Sequence, residues 1–300
     1  MMHGFIGTGA MGLPMLRNML AKGFALTVFD ANPAALDAAV AAGAKRAGSC
    51  AEVARASEVI VTILPSAANV QAVYLGPSGI VETAAKGTLC VDMSTIDPGT
   101  ARQVSDKLAE RGVRYIDAPV SGGVSGATAG SLTIMIGGAA ADVEAARPVL
   151  AAMGAKLVHV GAVGAGSVAK LCNNLIAGVA FVAIAEAFRI GEAWGVDPKI
   201  LTDVIATSSG ATWVMQKNHP VPGIDPNAAA SRDYAPGFTT DLMGKDLGLV
   251  VNAAREGRVA ASVAAAAQQV YRMASAHGFG RKDCASVYQF LKPGSKDSPV

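Results

Sequence analysis

The sequence is poor in the features that mark disulfide frameworks, metal centres, charged binding surfaces and membrane spans. Its four cysteines, Cys50, Cys90, Cys172 and Cys284, are widely separated and form no CxxC pair. Such spacing reads as buried free thiols in a reducing compartment, not as bridges or zinc ligands. The four histidines are equally scattered, with neither HxxxH nor HxH spacing, which argues against a protein metal site. A formal net charge of +2 on 300 residues gives no broad attraction for nucleic acid or an anionic membrane. One uncharged apolar run, Leu171 to Ala185, is shorter than the ~20 residues a bilayer span needs, and it contains Asn173 and Asn174. It reads as a buried helix. A strand-like run begins by His3 and leaves no room for a leader peptide, so the expected location is the cytoplasm.

What the chain has is small and aliphatic. Hydrophobic residues make up 51% of it and charged residues only 16%, the balance of a well-buried globular protein. Aromatics are only 5%, so the core must come from Ala, Val, Leu and Ile, a composition suited to helices packed closely on a parallel sheet. The length exceeds the usual size of one compact core, and two domains are expected, residues 1–162 and 163–300.

Through the first half, short apolar runs alternate with helix-like segments. Gly4 to Ile6, Ala25 to Phe29, Val59 to Leu64, Thr88 to Met93, Tyr115 to Val120 and Leu132 to Ile136 read as strands. Met11 to Lys22, Pro33 to Ala42, Asp97 to Arg111 and Ala140 to Met153 read as helices between them. Strand and helix in alternation predict a doubly wound, mostly parallel α/β sheet covered on both faces. The glycines of residues 161–166 suit a change of direction. Beyond them the pattern is helical: one long helix from Ser167 to about Gly195, then Pro198 to Thr207, Leu242 to Glu256 and Ala260 to Ala276. The second domain is therefore expected to be all-α and joined to the first by the long helix. A loop from His219 to Gly237, carrying Pro220, Pro222, Pro226 and Pro236, reads as a lid or subunit contact.

Gly7-Thr8-Gly9-Ala10-Met11-Gly12 matches GxGxxG. The spacing alone is weak, and a structural turn would also produce it. Here it follows a strand, opens a helix and begins a βαβ unit, the setting in which glycines let a backbone approach a pyrophosphate at a helix N-terminus. Asp30 ends the next strand, where a carboxylate can accept from both adenosine ribose hydroxyls and repel the 2′-phosphate of NADP, so NAD is the expected cofactor. The plainer role for Asp30 is a cap on the helix near Pro33. Leu64, Pro65 and Thr95 fall at the carboxyl ends of strands, where ligands bind in open α/β sheets.

Lys170 and Asn174 stand one turn apart on one face of the long helix. Val168, Leu171, Leu175 and Ile176 around them are apolar, and desolvation there would move the lysine toward the neutral form that a general acid–base needs. Lys245 is a candidate second charge with the same effect. Taken singly, Lys170 reads as a solvated helix-end lysine and Asn174 as a buried polar group satisfied by backbone. Asp117-Ala118-Pro119-Val120-Ser121-Gly122-Gly123 ends a strand in a loop whose exposed backbone N–H groups suit a carboxylate, although a plain turn accounts for it equally well.

At these residues the chain resembles the β-hydroxyacid dehydrogenases. The matches run nearly end to end: Phe5 to Gly12, Asp92 to Pro98, Asp117 to Gly123, Gly164 to Asn174 and Lys245 to Leu249. Asn218 to Gly223, Ser231 to Tyr234 and Pro236-Gly237-Phe238 are similar to the longer loop of the hydroxyisobutyrate branch. The resemblance implies a Rossmann domain, a long connecting helix and a helical domain used for substrate and for assembly into a homodimer or homotetramer. It implies Lys170 as the catalytic residue, Asn174 beside it, and Ser121, Gly122 and Gly123 holding a substrate carboxylate. Leu64, Pro65, Asn69, Thr95 and Lys245 would touch the cofactor with the glycine loop, Lys245 also facing substrate. The implied activity is NAD-dependent oxidation of a small 3-hydroxy acid, first 3-hydroxyisobutyrate to methylmalonate semialdehyde in valine breakdown. The same chemistry on L-serine, glycerate or tartronate semialdehyde is the near alternative. A non-catalytic NAD-binding module is the remote one, disfavoured because Lys170 is present and no basic patch is.

Overall fold

A computed structural model describes residues 2–292. The chain forms two compact units divided between Lys170 and Leu171. Among the described residues, nine strands make one sheet: β1 His3–Ile6, β2 Leu26–Phe29, β3 Lys45–Arg46, β4 Val59–Thr62, β5 Leu89–Asp92, β6 Arg114–Asp117, β7 Val120–Ser121, β8 Leu132–Gly137 and β9 Gly154–Gly161. The order is β3-β2-β1-β4-β5-β6-β8-β7, with β9 on β8. Strands β1 to β6 are mutually parallel, and β8 runs antiparallel to β6 and β7. The order reverses direction between β1 and β4, the place where such sheets open a ligand site at their carboxyl ends. This is the doubly wound, mostly parallel sheet expected.

The strands form because both faces are covered. β1, β4 and β5 are buried at every position, as the central strands of a parallel sheet covered on both faces are. Their side chains alternate between two cores: Phe5, Val61 and Val91 enter one, Ile6, Ile60 and Cys90 the other. Helix Gly12–Ala21 seals the first with Met15, Leu16 and Met19, each fully buried and each stabilising the fold by roughly 1.5–3 kcal/mol.

Four differences from the sequence reading have physical causes. The expected strand Tyr115 to Val120 stops at Asp117, and pairing with β8 resumes at β7 after Ala118-Pro119, again antiparallel. β9 was not expected; it lies outside β8 with Val158 and Val160 exposed, so it carries little burial signal. Helices Cys50–Arg55 and Ala67–Leu75 were also unexpected, the first being only six residues long and the second lacking a clear apolar period. Their starts are nonetheless marked, since Ser49 and Ser66 accept from the backbone N–H three residues on. Finally, only Cys90 and Cys284 are buried thiols; Cys50 is half-buried and Cys172 exposed.

Past β9 the described residues form no further strand. Helices Ala165–Ala193, Pro198–Ala206, Trp213–Lys217, Thr240–Glu256 and Ser262–Ala274 follow. The first, the long helix, has the length and hydropathy of a bilayer span, but Phe181, Ile184, Ala185 and Phe188 are buried in the core of the helical unit. Gly178 allows a close helix approach, since a Cβ there would lie 2.9 Å from the Met243 sulfur. The proline-bearing segment 219–237 is packed rather than loose. The Tyr234 hydroxyl donates to the Pro220 carbonyl at 3.0 Å, and Ala229 N–H donates to the Asn218 side chain at 3.1 Å. At its far end the buried Asp283 carboxylate accepts the N–H groups of Gly237 and Phe238 at 3.1 and 3.0 Å.

Candidate active site

The glycine loop leaves β1 at the reversal of the sheet. Gly7 has φ +94°, and a Cβ there would sit 2.2 Å from the Ile63 carbonyl oxygen. A Cβ on Gly12 would lie 1.9 Å from the Gly7 carbonyl oxygen. Both positions therefore require glycine for the turn itself. Gly9 differs: nothing lies within 4 Å of where its Cβ would be. The fold leaves space there, next to a helix start whose N-cap residue, Met11, makes no side-chain capping bond. A pyrophosphate fits that combination of open backbone and N–H donors. Gly9 and Ala10 are exposed, Thr8 buried and Met11 half-buried.

Asp30 does not cap the following helix; Asn32 does, accepting from Ala34 N–H at 3.0 Å. Asp30 instead ties the glycine loop to β2. One of its oxygens accepts Thr8 N–H at 2.6 Å and the Thr8 hydroxyl at 3.3 Å, and the other accepts Asn32 N–H at 2.8 Å. A carboxylate has about four acceptor sites, so capacity remains for a ribose hydroxyl. The residues present fit a dinucleotide.

The ends of β4 and β5 are joined by a buried network that the sequence reading missed. Asp92 accepts from the Thr62 and Ser94 hydroxyls at 2.8 and 2.5 Å and from the Tyr115 hydroxyl at 3.1 Å. The Ser94 hydroxyl in turn accepts Leu64 N–H at 2.8 Å. Burial raises the Asp92 pKa above the usual carboxylate range, and these donated hydrogen bonds pull it back. The result holds Leu64-Pro65 and Ser94-Thr95 as one rim. Leu64 and Thr95 are half-buried and Pro65 exposed. Asn69 is exposed one turn into its helix, its side-chain oxygen accepting the Ser66 hydroxyl at 2.6 Å.

Next along the sheet, Asp117 ends β6 in register with Asp92. The chain then reaches Ser121, Gly122 and Gly123, the glycines at φ +137° and +61° and both exposed. A Cβ on Gly123 would meet nothing within 4 Å, so this loop, like Gly9, presents backbone to open space. Asp117 itself turns inward and accepts Gly164 N–H at 2.7 Å, Ser167 N–H at 2.7 Å and the Ser167 hydroxyl at 2.9 Å. It is thus the cap of the long helix. Burial raises its pKa, opposed by these hydrogen bonds. Lys170 lies one turn further on and is only 8% exposed. Its surroundings are less uniformly apolar than the sequence suggests: Leu171 is buried and Leu175 half-buried, whereas Val168 and Ile176 are exposed.

In the helical unit Asn174 is buried, and its amide donates to Asp246 at 2.6 Å. Lys245, 30% exposed at its side chain, is ion-paired with the same carboxylate at 3.1 Å. Asp246 is therefore a further candidate that sequence reasoning missed; an acid buried at 1% exposure is the signal, and only the fold displays it. Among the described residues, no group of three His, Cys, Asp or Glu side chains is placed to hold a metal ion.

Known proteins match this chain nearly end to end. A family model described as the NAD binding domain of 6-phosphogluconate dehydrogenase matches residues 3–161, and one described as NAD-binding of NADP-dependent 3-hydroxyisobutyrate dehydrogenase matches residues 164–291. A probable mitochondrial 3-hydroxyisobutyrate dehydrogenase of Dictyostelium discoideum is 44% identical over 98% of this chain and 92% of its own length. An NAD-dependent L-serine dehydrogenase of Pseudomonas aeruginosa is 42% identical over 96% of this chain and 97% of its own. Among solved structures, Mycobacterium tuberculosis 3-hydroxyisobutyrate dehydrogenase with L-serine superposes with a TM-score of 0.92 at 38% identity, covering 98% of this chain and all of that one. On fold, glycine loop and full-length relatives together, the chain belongs to the β-hydroxyacid dehydrogenases, in the 3-hydroxyisobutyrate dehydrogenase family.

Proposed function

We propose that this protein oxidises a small 3-hydroxy carboxylate with NAD, 3-hydroxyisobutyrate to methylmalonate semialdehyde being the principal reaction. The observation that carries the reading is the burial of Lys170 one turn into a helix capped by Asp117, the residue whose strand leads directly to Ser121-Gly122-Gly123. The substrate carboxylate lies against the exposed N–H groups of that loop, with the Ser121 hydroxyl as an added donor. The 3-hydroxyl faces the Lys170 amine, which takes the hydroxyl proton as the carbinol carbon becomes a carbonyl, and returns it in the reverse direction. When bound, the nicotinamide supplies the hydride acceptor. Asn174, oriented by Asp246, donates to or accepts from the reacting oxygen or the lysine, and Lys245 neutralises nearby negative charge.

Gly7, Gly9 and Gly12 with Thr8, Ala10 and Met11 hold the pyrophosphate, and Leu64, Pro65, Asn69 and Thr95 line the cofactor. Asp30 gives NAD its advantage, because a 2′-phosphate would meet a carboxylate with no arginine directly following it in sequence. Residues 1–162 serve the cofactor, and residues 163–300 serve substrate and assembly. Ile190, Trp194, Ile200, Val204 and Trp213 are all more than half exposed on the helical unit, which supports a homodimer or homotetramer buried through that surface. Cytoplasmic localisation fits the absence of paired cysteines.

L-serine is the second reading. It is favoured by the 42% identical Pseudomonas aeruginosa enzyme named for that substrate. Initial rates over a panel of 3-hydroxyisobutyrate, L-serine, glycerate and the reduction of tartronate semialdehyde, each with NAD and NADP, test the proposal. The highest kcat/KM is expected for 3-hydroxyisobutyrate with NAD. A higher value for L-serine makes the second reading the correct one, and an NADP preference removes the role given to Asp30.

A further inference from the structure

We propose that Asp117 is a positioning residue for the reaction, setting Lys170 in register with the Ser121-Gly122-Gly123 loop. The inference rests on the reading that Lys170 moves the proton. A helix leaves its first N–H groups without intrahelical partners, and for several helices of this chain the side chain of the residue just before the helix supplies one. Asn32, Ser66 and Asp97 do so for the helices that follow them. The long helix is different. Its cap comes from 47 and 50 residues upstream, where Asp117 takes the N–H groups of Gly164 and Ser167 together with the Ser167 hydroxyl.

No side chain separates the helix start from the strand ends. A Cβ on Gly166 would lie 2.4 Å from the Met135 carbonyl oxygen and 2.8 Å from that of Asp117. A Cβ on Gly137 would lie 2.4 Å from the Asp117 carboxylate and 2.8 Å from the Gly166 nitrogen. The first turn is therefore seated directly on the ends of β6 and β8. On the other side of Asp117 the chain has little slack before Ser121: Ala118 N–H donates to the Asp92 carbonyl at 2.7 Å, the Pro119 carbonyl accepts Met135 N–H at 3.0 Å, and Val120 pairs with Ile134. One buried carboxylate thus links the loop assigned to the substrate carboxylate with the turn that precedes the lysine. Its effect on turnover is exerted through where the amine stands, since Asp117 is 1% exposed and cannot itself meet solvent or substrate.

The test is Asp117→Asn, which keeps the shape but turns an NH2 toward a backbone N–H. The expected result is a fall in kcat of about ten- to a hundredfold, with KM for the hydroxy acid and Kd for NADH within about threefold of wild type. A kcat within about threefold of wild type, or a loss carried by KM, overturns the proposal. If the variant does not fold, Ser167→Ala decides, because it deletes only the hydroxyl bond. A fall in kcat of about twofold or more at unchanged KM supports the positioning role, and a smaller one overturns it. Lys170→Ala assayed in parallel separates the two ideas. Turnover surviving there refutes the lysine as proton carrier; turnover lost there but intact in Asp117→Asn refutes the positioning role alone.

Discussion

Each unit of the protein contains a buried aspartate that gathers backbone N–H groups from distant segments, and the two do so in different settings. Asp117 stands at the end of a strand already fixed by ladders on both sides, and it caps a helix. Asp283 stands between short helical turns and holds the two ends of segment 218–238, accepting from Gly237, Phe238 and Ala285 N–H groups and, at 3.4 Å, from the Asn218 amide. In the sheet unit the carboxylate refines a framework that the strands have made. In the helical unit it substitutes for one. Stability in the helical unit is therefore local: losing a tether should unseat its loop region but leave the sheet standing.

Asp283→Ala is expected to have the largest effect on stability, about 3–5 kcal/mol, because several buried donors lose their acceptor at once. Hydrogen exchange should show lost protection over 218–238 with β1, β4 and β5 unchanged. Equal loss in the sheet would mean that Asp283 supports both units. Acid should act on the same unit through His219. Burial between Phe188 and the loop lowers its pKa to about 4, so the folded state holds the neutral ring where the unfolded chain takes a proton. The unfolded state then binds more protons between about pH 4 and 6.5, and stability falls as pH drops through that window, by no more than about 2–3 kcal/mol. Denaturant melts at pH 7.5 and 4.5 check this, and His219→Gln should flatten the difference. A flat profile in the wild type removes His219 from the account.

The sheet unit offers the opposite case, a change that touches binding but not folding. Gly9→Ala enters open space, so stability should move by less than about 0.5 kcal/mol. NAD affinity should nonetheless fall about tenfold or more, because the methyl group takes the room a phosphate needs. Calorimetric titration with NAD and a melt on the same sample separate the two. Unchanged affinity would mean that the space at Gly9 is not the phosphate site.

Legibility from sequence divides along the same line. β1, β4 and β5 could be read because burial on both faces writes largely apolar runs, and the glycine loop because its turn rejects a Cβ at Gly7 and Gly12. The long helix could be read from its length. Long-range partnership could not. The Asp117 cap, the Asp92 network with Thr62, Ser94 and Tyr115, and the Asn174–Asp246 bond join residues that only the fold brings together. Segment 219–237 is the loop its prolines signal, but the contacts that pack it, Tyr234 on Pro220 and Asp283 on Gly237, are not written in the local sequence. For Lys170 the argument from apolar neighbours holds in part, since Leu171 is buried but Val168 and Ile176 are exposed, and the family resemblance is the stronger signal.

The proton role of Lys170 is tested most directly by Lys170→Ala, comparing turnover of 3-hydroxyisobutyrate with NADH binding measured on the same preparation. A fall in kcat of about 10²–10⁴ is expected, with NADH affinity within about twofold of wild type. Turnover within about tenfold of wild type, in a variant that binds NADH normally, would contradict it.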